Sequence, residues 1–194
     1  MYRNAVEYPT RPVACQLDAK MCPDGTGVTR TGSDCSFPAC PAPNVSLSDM
    51  GVAYAVPEGF VIAELPDSTS VAAYEKPADG LSSASITVRR YSIDASSTPL
   101  SVIKQTAIGG ASGEPVPSVA FSSTVIGTHR FTVVSIERFE AVIDTAYYLA
   151  RGSDVLRFDA IDREVLNWTE LNLDVSKLPA HSALRGLLTT LQRE

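Results

Sequence analysis

Cys15, Cys22, Cys35 and Cys40 fall within 26 residues, and the chain has no other cysteine. Four thiols this close can bind a metal, exchange electrons or form structural disulfides. The spacing C-x6-C-x12-C-x4-C lacks the tight C-x2-4-C knuckle in each half that usually brings thiolates together on zinc. A four-thiolate zinc site remains an alternative. A redox-active pair would favour C-x-x-C, which is absent. Structural disulfides fit best, because the surrounding ACQLDAKMCPDGTGVTRTGSDCSFPACP is rich in turn formers and nearly empty of large apolar side chains. Such a segment buries too little surface to hold together without covalent links.

Four cysteines allow three pairings. Pro23-Asp24-Gly25 and Thr31-Gly32-Ser33-Asp34 are turn signals, and Val28-Thr29-Arg30 between them reads as a short strand. In the resulting up-down-up meander the first and third segments run parallel. That favours Cys15–Cys35 and Cys22–Cys40 over the nested pairing, without eliminating it. Arg30 lies in this stapled loop and has two readings. It could be the reactive residue of a protease inhibitor, since a constrained loop loses less entropy on binding. The plainer reading, a solvated arginine on a hairpin, is the favoured one. Gly25-Thr26-Gly27 begins like a dinucleotide fingerprint, but Arg30 stands where the third glycine is needed and no βαβ unit surrounds it.

Other chemistry is sparse. His129 and His181 lie in different elements and read as surface or turn residues rather than ligands or bases. Asp154, Asp159, Asp162 and Glu164 offer oxygen ligands without the pattern of a calcium loop, and read as solvated edge charges. Paired carboxylates for glycoside hydrolysis would come from such acids, yet no spacing selects a pair. Gly110-Ala111-Ser112-Gly113-Glu114 lacks the final glycine and the feeding strand of a nucleophile elbow. No catalytic residue, metal or cofactor is therefore expected. Trp168, the only tryptophan, sits in DREVLNWT and either anchors a loop on the core or forms an exposed partner-binding hot spot.

The elements that position these residues follow from periodicity and turn signals. Strand patterns occupy residues 52–56, 60–64, 71–75 and 85–93, with Pro77-Ala78-Asp79-Gly80 connecting the last two. Thr98-Pro99 opens a helix whose Leu100, Ile103 and Ala107 share a face, and Gly109-Gly110 stops it. Four more strands, at 122–126, 130–137, 141–150 and 155–161, are joined by turns such as Gly127-Thr128 and Arg151-Gly152-Ser153-Asp154. Pro179 begins a closing helix with Ala183, Leu184, Leu187, Leu188 and Leu191 at helical spacing. This order predicts an α+β domain, residues 45–194, with a mainly antiparallel sheet flanked by helices. Residues 1–44 form a small disulfide-stapled module ending in the stiff linker Pro41-Ala42-Pro43-Asn44.

The formal net charge is −6, and residues 1–44 are balanced, so the whole excess lies in the larger domain. An acidic domain without a basic stripe argues against nucleic acid and anionic lipid as partners. No stretch reaches the roughly 18–20 apolar residues of a membrane span. MYRNAVEYPTRPVAC lacks the apolar core of a signal peptide. The cysteines favour an extracellular or cell-envelope protein whose leader has been removed, over a cytosolic one with reduced thiols.

Two resemblances add to this reading. CPDGTGVTRTGSDCSFPAC resembles a short cysteine-rich segment of predicted secreted bacterial proteins, and implies no particular activity. Residues 47–192 resemble the PsbP/Mog-like fold through the opening YAVPEGF, the mid-chain helix, the long meander from residue 122 and the closing helix ending in LLTTLQ. That resemblance implies a domain that binds protein partners or assists assembly without catalysis. It carries over no metal ligands. The expectation is a secreted or envelope-associated, non-catalytic binding or assembly module with an unidentified protein partner. The alternatives are a protease inhibitor acting through Arg30 and a carboxylate-based hydrolase.

Overall fold

The computed structural model describes residues 14–22, 27–40, 42–77 and 84–193. The turn at Pro23-Asp24-Gly25, most of the Gly25-Thr26-Gly27 look-alike, the connection at 78–80, Pro41 and the segment 1–13 lie outside the described residues. Among the described residues the first regular structure is a ribbon of β1 (Ala19–Met21) and antiparallel β2 (Gly27–Thr29), followed by a bridge between Thr31 and Ser36. Disulfides join Cys15 to Cys35 and Cys22 to Cys40, with Cα atoms 5.3 and 5.6 Å apart, and leave no free cysteine. The thiols are thereby consumed, so a four-thiolate zinc site does not form.

Strand β3 (Val45–Leu47) pairs with β4 (Val52–Tyr54) across a single 3-10 turn capped by Gly51 in the left-handed region. The main sheet then begins at its edge with β5 (Val61–Ile62), β6 (Ser70–Lys76) and β7 (Ala84–Ser92). Helix α1 (Pro99–Thr106) follows, with Thr98 as N-cap, Pro99 in the first turn and a reciprocal bond between Thr98 and Ser101. Its buried residues are Val102 and Ile103, continued by Ala107 at the C-cap. Leu100, expected on that face, points to solvent instead.

A four-strand meander comes next: β8 (Phe121–Ile126), β9 (His129–Phe139), β10 (Val142–Arg151) and β11 (Asp154–Asp162). The two-residue loops explain its tightness. Gly127 and Gly152 take positive φ at two of the turns, as hairpin connections of this length require. Helix α2 (Pro179–Thr189) and β12 (Gln192–Arg193) complete the described fold, β12 pairing with β4.

The seven strands run in the order β5-β6-β7-β11-β10-β9-β8, every neighbour antiparallel. Strand β11 sits at the centre and is buried along nearly its whole length, because both faces of the sheet are covered. Leu156, Phe158 and Ala160 join the core beneath α2, where Leu184, Leu187 and Leu188 close over them. Each such leucine contributes about 1.5–3 kcal/mol of burial. Val155, by contrast, packs in the second core with Val102, Ile103 and Tyr148 on the α1 side. Tyr54 ties the small sheet to the large one, its hydroxyl 2.9 Å from that of Tyr74.

Candidate functional site

The loop after β11 carries Trp168, and local bonds fix it against the β9–β10 hairpin. The amide of Val165 donates to the Ala141 carbonyl at 3.0 Å, and the Val165 side chain is buried. Arg138 donates to the carbonyls of Trp168 and Glu170. Val165 and Arg138 therefore anchor the loop, and Trp168 belongs to neither core cluster. The indole is only partly buried and meets Phe139 edge-on, with ring centroids 6.3 Å apart. Phe139 is 48% exposed, and in the loop itself Leu166 is 96% and Leu171 100% exposed. Apolar side chains are thus exposed on and beside a loop held on a defined frame.

The backbone beside this surface is strained. Glu140 and Ala141, the two-residue loop between β9 and β10, have φ of 47° and 62°, and Glu164 has φ of 60°. Left-handed backbone costs roughly 1–2 kcal/mol for a residue with a Cβ, and hairpins of this type normally place Asn or Gly there. Of the four non-glycine residues with positive φ among those described, three flank Trp168 and the fourth is Cys35. Such strain tends to concentrate at functional sites. Phe139, Leu166 and Leu171 were not singled out in sequence. The stretch VLNWTELNL from Val165 is the only signal for Leu166 and Leu171, having apolar residues without helical or strand periodicity, and Phe139 has none.

Arg30 sits differently. Its Nε donates to Asp18 at 2.7 Å, its Nη1 to the Cys35 carbonyl at 3.0 Å, and its guanidinium lies 4.2 Å from the Phe37 ring centroid. A side chain with three partners inside its own module is neither a freely solvated arginine nor well placed to project into a protease. Arg30 and Trp168 are in separate regions of the chain, and no described contact joins them.

Two buried polar clusters correct the reading of the acids as solvated charges. Only Glu164 is exposed. Asp154 forms a paired contact with Arg90 at 2.9 and 3.0 Å. Asp159 is 0% exposed and is held between two arginines on the α1 side of the sheet. Arg157 donates to it at 2.6 Å and also to the Thr106 carbonyl at 2.6 Å. Arg89 bridges from Asp159 to Asp67, whose other oxygen accepts from Thr69 and Ser70. Burial alone would raise the Asp67 carboxyl, but bonds from Thr69, Ser70 and Arg89 hold it below the usual range. This ladder links α1, β11, β7 and the loop before β6. Asp144 stands beside it with a buried Oδ1 that has no partner among the described residues. Burial, then the charge of Asp159, pushes its carboxyl well above the ordinary value.

The second cluster lies under α2. Both histidines, expected at the surface, are buried. His181 is 2% exposed, with Nδ1 donating to Asp162 at 2.6 Å and Nε2 2.9 Å from Thr145 Oγ1. A hydroxyl, an imidazole and a carboxylate in this order have the arrangement of a nucleophile, the base that takes its proton and the group that orients that base. Here the carboxylate has another task. Asp162, 1% exposed, also accepts from the amides of Ala180 and His181 at 2.8 and 3.3 Å. Those are orphan donors at the start of α2, and a negative charge there suits the helix dipole. Asp162 and His181 thus fasten the closing helix to β11 and β10.

Comparison with known proteins places the architecture. Neither a family model nor a curated protein matches this sequence. Among solved structures, the yeast Ran-binding protein Mog1p of Saccharomyces cerevisiae is 17% identical, with 77% of this chain and 93% of that one covered and a TM-score of 0.45. A protein from Bacteroides thetaiotaomicron VPI-5482 is 12% identical with a TM-score of 0.45, covering 74% of this chain, which spans only 45% of its length. Cyanobacterial PsbP (CyanoP) from Synechocystis sp. PCC 6803 is 11% identical, covers 81% of this chain and 98% of its own, and has a TM-score of 0.52. At this identity the likeness extends to the fold: the sheet and helices of this chain are arranged as in cyanobacterial PsbP.

Proposed function

We propose that this chain is a secreted or envelope-associated, non-catalytic module that docks a protein partner through Phe139, Leu166, Trp168 and Leu171. The observation that carries the reading is the apolar cluster around Trp168, exposed yet tethered by Val165 and Arg138. Exposed aromatic and aliphatic side chains on a fixed frame suit a binding hot spot, since little entropy is lost in ordering them. The three left-handed residues beside the cluster fit the same account. Two disulfides point to an oxidising compartment, and among the described residues no helix is long and apolar enough to cross a membrane.

The test is affinity enrichment from source-cell envelope with three baits: the full chain, residues 45–194, and the full chain carrying Phe139→Ala and Trp168→Ala. The reading predicts a discrete protein retained by the first two baits and lost from the third. Retention by the double variant at equal bait loading would move the binding function elsewhere.

A further inference from the structure

A hollow of about 420 Å³ is lined by His129, Leu149, Ala150, Arg151, Gly152 and Arg193. Among the described residues no carboxylate lines it, although the chain as a whole carries a net charge of −6. Its two arginines also stand apart from most others. Arg30, Arg89, Arg90 and Arg157 pair with aspartates, and Arg138 and Arg163 donate to carbonyl or hydroxyl oxygens. Arg151 and Arg193 have no ion pair among the described residues.

The fold brings both cations to one corner. Arg193 on β12 pairs opposite Val52 of β4. Arg151, at the end of β10, lies against the preceding residue, Gly51, so closely that a Cβ there would stand 3.0 Å from Nη2. The left-handed glycine therefore admits the guanidinium and limits where it can go. His129 is buried, and its Nε2 donates to the Leu191 carbonyl at 3.1 Å, which fixes the ring at the wall of the hollow. Gly152 at the hairpin turn leaves the approach open, with nothing within 4 Å of the position of its missing Cβ.

We propose that this hollow binds a small oxyanion, a phosphate or a carboxylate, between the guanidinium groups of Arg151 and Arg193. Planar guanidinium forks recognise such oxygens by charge-assisted, often paired hydrogen bonds. The site involves no residue of the Trp168 cluster, so it stands or falls separately from the docking reading.

The experiment is an amide NMR titration of the isotope-labelled full chain with sodium phosphate and, separately, sodium acetate, at constant ionic strength. Saturable shifts are expected at His129, Arg151 and Gly152. Replacing Arg151→Gln and Arg193→Gln together should weaken binding about tenfold or more, the effect of losing charge-assisted bonds. Arg185→Gln, on the exposed side of α2, should leave it unchanged. Tighter binding of phosphate than acetate would identify a phosphate-bearing ligand, and the reverse order a carboxylate. Amide shifts elsewhere in the variants report whether the fold is kept, and Arg193→Gln alone serves if the double variant is perturbed. Shifts that rise without saturating, or that survive in the arginine variants, would overturn the proposal.

Discussion

Replacing Asp144 by asparagine should stabilise this protein at neutral pH. The ladder beside it is already balanced, with Asp67 and Asp159 against Arg89 and Arg157. An ionised Asp144 would add a further negative charge, and among the described residues its buried Oδ1 has no hydrogen-bond partner. Burial first, then Asp159, raises its carboxyl well above the ordinary 3.8. The folded protein thus holds this proton more firmly than the unfolded chain. The associated stability is fully present below the unfolded value and is lost as pH rises through the folded one. Asparagine cannot ionise, so it escapes that loss. The buried acceptor is kept in asparagine, so its cost cancels and only the ionisation loss is removed; a tenfold shift in the proton equilibrium is worth about 1.4 kcal/mol, so a gain of about 1 kcal/mol or more is expected. For a chain of this size that is a rise in Tm of roughly 2–4 °C. Thermal unfolding followed by circular dichroism should show the gain at pH 7 and its disappearance as pH falls toward 4. An unchanged or lower Tm at pH 7, or a gain constant with pH, would refute the reasoning.

Three further outcomes follow from the packing. Asp162→Ala strands two α2 amides and the His181 ring, and should lower urea-unfolding stability by about 3 kcal/mol or more, detaching the closing helix first in hydrogen exchange. Glu140→Asn with Ala141→Gly relieves two left-handed residues and should add about 1–2 kcal/mol in the same assay. Replacing Cys22 and Cys40 by serine removes a link across 18 residues, for which loop closure gives about 3 kcal/mol. Proteolysis should then cut within residues 14–40 while the core of the larger domain stays intact.

The meander was legible because its strands are rich in β-branched and aromatic residues and most of its turns carry glycine, as at Gly127 and Gly152. Helix α1 was announced by Thr98-Pro99, though its buried side was misjudged at Leu100 because periodicity gives spacing and not which flank meets the sheet. Strands β3 and β12, of three and two residues, are too short to show a period. The polar clusters were illegible for a different reason. Asp159 meets Arg89 across 70 residues and Asp162 meets His181 across 19, so their partners exist only once the sheet has formed. A lone aspartate in a strand looks the same in sequence whether solvent or an arginine awaits it. Trp168 was visible as a candidate, but Phe139 joins it only through the turn at Glu140 and Ala141, which carries neither Gly nor Asn.

Photo-crosslinking in source cells is the most direct test of the docking surface. A photoreactive residue replaces Leu171, which is fully exposed in the loop that carries Trp168, and a second protein carries it at Arg185 on the outer side of α2. The account predicts one discrete protein adduct from position 171, none from position 185, and loss of the adduct when Trp168→Ala and Phe139→Ala are added. Equal adducts from both positions, or an adduct indifferent to those substitutions, would contradict it.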